Sequence, residues 1–218
     1  MANYTAVQGV MSAIVDMLQE GLPPELSGTG SGAAASGTGG VAVNGSVQLF
    51  GSQDFNQTSL KNALALYLYR ISIDPTVVGG YARALPGTAG GRTAEVALML
   101  HFLMIAIADS AVAEISLMGW GFQQLAITPV IGADRLAAQG LVGLPPGAPG
   151  ISWDDSDSVQ VATEELTREE LMRIWDTLPL KYRLTVPYVA RGLRLTLTPD
   201  MRQFGPVLDR SLVMGVSA

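Results

Sequence analysis

The chain is 218 residues long, 48% hydrophobic and only 15% charged, with a formal net charge of −6 and no cysteine. An acidic chain with few, scattered Lys and Arg is poorly suited to neutralising a phosphate backbone, which argues against nucleic-acid binding, and the lack of thiols excludes disulfides, thiolate catalysis and cysteine-ligated metals. Soluble domains ordinarily carry about 25% charged residues, so part of this surface is expected to be covered by protein, and the length suits a single domain over residues 1–218 made in a reducing cytoplasm.

The first ten residues have neither a basic stretch nor a continuous apolar run, so no secretory signal is expected there. Residues 4–18 place Val7, Val10, Met11, Ile14, Val15 and Leu18 at three- and four-residue spacings, which predicts an amphipathic helix ended by Gly21 and Pro23-Pro24. Residues 27–40 are Gly, Ser, Thr and Ala throughout, a flexible insertion with nothing to anchor a core. Residues 41–50 follow with two strand-like pieces around Asn44-Gly45, the pair suited to a tight hairpin turn. Residues 62–73 (NALALYLYRISI) are apolar or aromatic on both alternating faces and predict a central strand.

Residues 93–107 (TAEVALMLHFLMIAI) form a continuous apolar run that periodicity alone cannot assign. The Gly-rich entry and the relation to residues 62–73 favour an antiparallel strand. The same region is too short for a membrane span, which needs about 20 apolar residues. Ser110 is a candidate N-cap for a second helix with a stripe of Val112, Ile115, Met118, Phe122 and Leu125, ending at Thr128-Pro129. A proline-rich connection spans residues 141–150, and residues 159–162 read as a short strand.

Thr167 followed by Glu170 is a capping box, so a third helix starts there, buries Leu171, Ile174, Trp175 and Leu178, and stops at Pro179. Two more strands are expected over 182–190 and 193–197, then a tail with an apolar patch at 212–216. The sum is an α+β chain, a mixed and largely antiparallel sheet carrying about three helices.

Residues able to carry chemistry are few. His101 is the sole histidine and lies within an apolar run, and no Gly-x-Ser-x-Gly elbow accompanies it, so a satisfied interior or interface histidine is expected. Asp154, Asp155 and Asp157 lack the glycine and distal glutamate of a calcium loop. Gly30-x-Gly32-x-x-Ala35 imitates a dinucleotide fingerprint, but prolines precede it where a strand should stand. Glu164, Glu165, Glu169 and Glu170 suit a helix N-terminus better than a catalytic pair. Trp120 and Trp175 fall on apolar helix faces, whereas Trp153, beside an acidic loop, is a candidate contact residue. No catalytic residue, metal or cofactor is expected.

Four stretches carry a resemblance to a known family: the amphipathic start from Val7 to Leu18, the aromatic strand Leu64-Ala-Leu-Tyr-Leu-Tyr69-Arg70, the apolar run from Val96 to Ile107, and Glu170-Leu-Met-Arg-Ile-Trp175-Asp176-Thr-Leu178 leading into Lys181-Tyr182-Arg-Leu-Thr-Val186. In these the chain resembles the tail terminator or cap proteins of extracellular contractile injection systems. The resemblance implies a non-catalytic subunit of a hexameric ring that ends the inner tube and anchors the last sheath layer of a phage-tail-like particle. Its partners would be further copies of itself, the tube protein and the sheath protein. Contacts are expected from Val41, Val43, Val47, Leu49, Phe50, Trp153, Leu212, Val213 and Met214. The alternatives are another tube- or sheath-associated ring subunit of such a particle and, further off, a small enzyme.

Overall fold

The computed structural model describes residues 4–27, 45–56, 62–76, 83–84, 92–138 and 153–197. The apolar stripe at the start forms α1 (Ala6–Gly21), followed by a single turn, α2 (Pro24–Ser27). Then come β1 (Ser46–Phe50), a 3-10 turn (Asp54–Asn56), β2 (Ala63–Ile73), β3 (Arg83–Ala84) and β4 (Arg92–Ile107). Helix α3 (Ala111–Ile127) leads to β5 (Val130–Gly132), α4 (Ala133–Ala137), β6 (Ser158–Thr163), α5 (Arg168–Asp176) and β7 (Thr185–Leu197). The strands form one mixed sheet in the order β1-β2-β4-β7-β6-β5, with β3 pairing β4. Only β1 and β2 run parallel; the other described pairings are antiparallel. The fold is α+β, as the order of elements implied.

Coverage of both sheet faces explains the unbroken apolar run of β4. Its even positions Leu100, Phe102, Met104 and Ala106 join Val10, Met11, Ile14 and Leu18 of α1 and Leu64 and Leu66 of β2 in the main core. The odd positions Leu103, Ile105 and Ile107 meet Phe50, Phe55, Trp175 and Leu178 in a second core under α5. A strand buried on both sides needs no alternation. Residues 62–73 form β2 and pair with β4 as expected, yet β2 lies one place in from the edge, because β1 adds alongside it in parallel. The central positions belong to β4 and β7.

Of the expected hairpin over 41–50, the second piece is the edge strand β1, whose Val47 N–H is held by the Gln19 side chain of α1 at 2.8 Å; residues 41–44 lie outside the described residues. The two strands expected over 182–190 and 193–197 are one strand, β7, bent by a bulge. Gly192 takes φ +99° there, and a Cβ at that position would stand 2.6 Å from the Ser158 carbonyl oxygen. Glycine is the residue that tolerates both the positive φ and the close approach.

Two helices, α3 and α5, begin at a side-chain cap. Ser110 accepts a hydrogen bond from the Ala113 N–H at the head of α3. The capping box of α5 is complete: the Thr167 hydroxyl accepts from the Glu170 N–H, and the Glu170 carboxylate accepts from the Thr167 N–H at 2.9 Å. These bonds hold the Glu170 carboxyl below the usual carboxylate range, the Thr167 side chain first and its backbone second. Trp175 and Leu178 are buried from this helix, and Tyr182 closes edge-on against Trp175 with ring centroids 5.4 Å apart.

Candidate functional site

Two features stand out: a polar cluster on the α5 face of the sheet, and an uncharged helix face on the other side. The cluster is built by a bulge in β2. Between Leu68, paired with Phe102, and Arg70, paired with His101, the strand inserts Tyr69. That extra residue lets consecutive side chains, Tyr69 and Arg70, reach the same acceptor. The Tyr69 hydroxyl donates to Glu164 Oε2 at 2.6 Å, and Arg70 donates to Glu164 Oε1 at 3.2 Å. His101, only 3% exposed, places Nδ1 2.8 Å from Glu164 Oε1 and Nε2 2.7 Å from Ser72 Oγ. Burial, and then the bond to Glu164, push the Tyr69 phenol far above its ordinary pKa.

Ser72, His101 and Glu164 thus stand in the order of a nucleophile, base and orienting acid, a relation that spacing in the sequence does not reveal because Glu164 arrives from 63 residues beyond His101. Two observations favour a structural brace. Ser72 sits near the end of a sheet strand, not on a strand-to-helix elbow. The carboxylate is shared with Tyr69 and Arg70, and Arg70 Nη2 lies 3.2 and 3.4 Å from the two imidazole nitrogens. The network ties β2, β4 and the entry to α5 together. It also supplies the buried histidine with the partners a buried polar side chain requires.

A cleft of about 450 Å³ lies nearby, lined among others by Asp74, Thr76, Asp157, Gln160, Arg191 and Arg194. Its acidic groups are already engaged. The Asp74 carboxylate accepts from the Thr76 hydroxyl at 2.6 Å and the Thr76 N–H at 2.9 Å, which lowers its pKa. Asp157 accepts from the Asp154 N–H and closes its own loop. Among the described residues no three His, Asp or Glu side chains converge as a metal-binding group, and no helix is long and apolar enough to cross a membrane.

Helix α3 departs from its expected orientation. Met118 and Leu125 of the expected stripe face the core, but Val112, Ile115 and Phe122 turn outward, 61%, 65% and 47% exposed. The inward face is Ala113, Leu117, Met118, Gly121 and Leu125. Glu114 is the one charged residue of the 17-residue helix, so hydrophobicity cannot choose a side, and size chooses instead. A Cβ on Gly121 would lie 2.7 Å from Leu64 Cδ2 and 3.0 Å from the Met104 sulfur. The helix approaches the sheet most closely at Gly121, with Leu117, Met118 and Leu125 packed inward and Val112, Ile115 and Phe122 left outside. Ile127, at the end of α3, is 66% exposed, and Val130 of edge strand β5 is 51% exposed on the cleft side of the sheet.

The residues expected to make contacts are placed unevenly. Val47 and Phe50 face inward, into the main and the α5-side cores, while Leu49 points out from β1. Trp153 is half-buried against the main core, with its indole N–H enclosed and unpartnered. Val41, Val43, Leu212, Val213 and Met214 lie outside the described residues. The outward face of α3 is the surface that the sequence reading missed; the signal was the near absence of charge around the whole helix.

In its fold the chain is similar to a sheath/tube terminator of an extracellular contractile injection system, PVC, in the extended state, at 17% identity and a TM-score of 0.56, covering 100% of this chain and 66% of that one. It is also similar to the tube-terminating cap of the anti-feeding prophage, at 14% identity and a TM-score of 0.52, covering 94% of this chain and 60% of that one. In both cases the chain spans less than two thirds of the other's length. No curated protein matches it. A family pattern does, across residues 9–209: the chain belongs to the Pvc16 N-terminal domain family.

Proposed function

We propose that this chain is a structural, non-catalytic subunit of a contractile, phage-tail-like particle: made in the cytoplasm, assembled as a hexameric ring, closing the inner tube at its end and anchoring the last layer of sheath. The observation that carries the reading is a fold shared over nearly the whole chain with terminators of two such particles. The uncharged outer face of α3 supports it, since an exposed apolar face of this kind belongs against protein. The mechanism is geometric. A closed ring whose symmetry matches the tube occupies the last tube layer, leaves no free site for a further tube subunit, and offers the sheath a fixed attachment while the rest contracts. Residues 1–218 would act as one domain, with residues 41–50 or 212–214 reaching the tube or sheath.

The reading is tested by removing the chain from the particle's genes and measuring tube lengths by electron microscopy. Uncapped tubes of scattered length are expected, restored to one length by the full chain. A gold-labelled tag on the chain should mark a single end of each particle. Label along the shaft would indicate a tube or sheath subunit, and label at the baseplate end would also sink the cap reading.

A further inference from the structure

We propose that the polar cleft beside β6 and β7 is a carboxylate-binding site, in which Arg191 and Arg194 hold an acidic side chain of another protein chain or a free small acid. The bulge in β7 brings the two guanidiniums together. Residues three apart on a regular strand stand on opposite faces of the sheet. Here Ala190 and Leu193 both turn into the main core, so the residue after each, Arg191 and Arg194, turns to the opposite face. Both arginines line the cleft, and both are exposed. Gly192 fixes the bulge, since its positive φ and its approach to the Ser158 carbonyl leave no place for a side chain. A bulge commonly serves to re-aim side chains, and this one makes a pair of two arginines that an unbroken strand would divide between its faces.

The lining decides which ligand fits. The two carboxylates of the cleft serve their own loops: Asp74 Oδ1 accepts two hydrogen bonds from Thr76, and Asp157 Oδ2 accepts the Asp154 N–H at 2.9 Å. Thr76 also comes ahead of Arg191 among the causes of the lowered Asp74 pKa. Arg191 makes no hydrogen bond or ion pair among the described residues. A guanidinium presents five N–H donors in a planar fork, so two on one wall have donors to spare for a carboxylate, whose paired oxygens match that fork. Asp74 and Asp157 nevertheless cancel the formal charge of the two arginines, so directional hydrogen bonds, not the overall field, must hold the ligand. The cost of desolvating an ion rises with the square of its charge, which favours a singly charged carboxylate over a phosphate dianion. Ser158 and Gln160 on the same lining supply neutral donors and acceptors for the amides beside such a group. The volume of about 450 Å³ is within the range of small-ligand sites.

Arginine modification of the purified chain tests the site. Phenylglyoxal reacts with accessible guanidiniums, and mass spectrometry of the digested protein gives the rate at each arginine. Acetyl-Gly-Glu-Gly-amide should slow modification of Arg191 and Arg194 by about tenfold once it is present at roughly ten times its Kd. The same peptide with Gln in place of Glu should give no protection, and Arg173, exposed on α5 and paired with Glu169, should react at an unchanged rate. No protection by the Glu peptide, equal protection by the Gln peptide, protection of Arg173 alongside, or stronger protection by inorganic phosphate would overturn the carboxylate site. The source of the carboxylate is read in intact particles, an arm that rests on the particle reading above. Arg191→Lys puts an amine in the cleft, carbodiimide joins it to a carboxylate in contact, and the joined peptide is identified by mass spectrometry. An acidic residue of another chain identifies a protein ligand; no joined peptide, with the Glu peptide still protective, identifies a free acid. A bond to Asp74 or Asp157 alone would overturn the site, because the cleft would then satisfy itself. Protection is measured without the particle, so its failure leaves the cap reading intact, and a tag away from the particle end leaves the site intact.

Discussion

Tyr188 shows how one buried hydroxyl sets a limit on the fold. Its ring stacks on Phe102 with centroids 5.6 Å apart and an interplanar angle of 14°, and burial pushes its pKa up to about 12. An unfolded tyrosine ionises near 10. A raised folded pKa gives stability that is fully present below the unfolded value and is lost as pH rises from about 10 towards 12. Tyr69, raised by burial and by Glu164, acts with the same sign. Tyr188→Phe keeps the stacked ring and removes the proton, so urea midpoints measured at pH 8, 10 and 11 should fall less steeply for the variant than for the parent. The brace around His101 gives a second expectation at this scale. Glu164→Gln leaves the contacts of Tyr69 and His101 poorly matched and should cost about 1–3 kcal/mol by thermal or urea unfolding. Arg70→Ala should cost less than about 1 kcal/mol, because the Arg70 side chain is 54% exposed and its pair is screened by water.

Whether an element could be read from the sequence depended on how far away its determinants lie. The start of α5 was legible because Thr167 and Glu170 carry the whole signal within four residues. Thr167→Ala should destabilise by about 1 kcal/mol at neutral pH. The gap between variant and parent should narrow as pH falls through the lowered Glu170 pKa, since the protonated side chain no longer gains from the cap; circular dichroism melts at neutral and acid pH check this. The antiparallel pair β2–β4 was legible too, both strands being long and apolar. Strand β1 was legible as the second piece of residues 41–50, but its parallel place on Ala63 to Tyr67 was not, because distant partners such as Gln19 help fix it. The outward side of α3 was hidden for another reason: the helix is apolar nearly all round, and the side turned inward is the one where Gly121 leaves no room for a Cβ against Leu64 and Met104. Gly121→Val should therefore lower the melting temperature, with a cost of about 1–3 kcal/mol from overpacking. The His101 cluster was illegible because the register bulge at Tyr69 and the arrival of Glu164 are both properties of the assembled sheet.

At the scale of the whole molecule, low charge and an exposed apolar helix face suit a subunit of the assembly proposed above, where such a face packs against protein. The outward row of α3 carries no charge of its own, so subunits held through it should not follow ionic strength in the usual way. Salt screens exposed charges over a length of about 10 Å at 0.1 M and about 3 Å at 1 M. A contact held by opposite charges weakens as that length shortens. Here the copies carry the same sign, so raising NaCl reduces their mutual repulsion and leaves the apolar term nearly untouched. Sulfate, being excluded from protein surfaces, should strengthen burial further. Mass measured by light scattering at fixed protein concentration is therefore expected to hold or rise from 50 mM to 500 mM NaCl and to rise again in ammonium sulfate. A fall in mass over the same NaCl range would mean that charged side chains, not the Val112–Phe122 row, hold the subunits together.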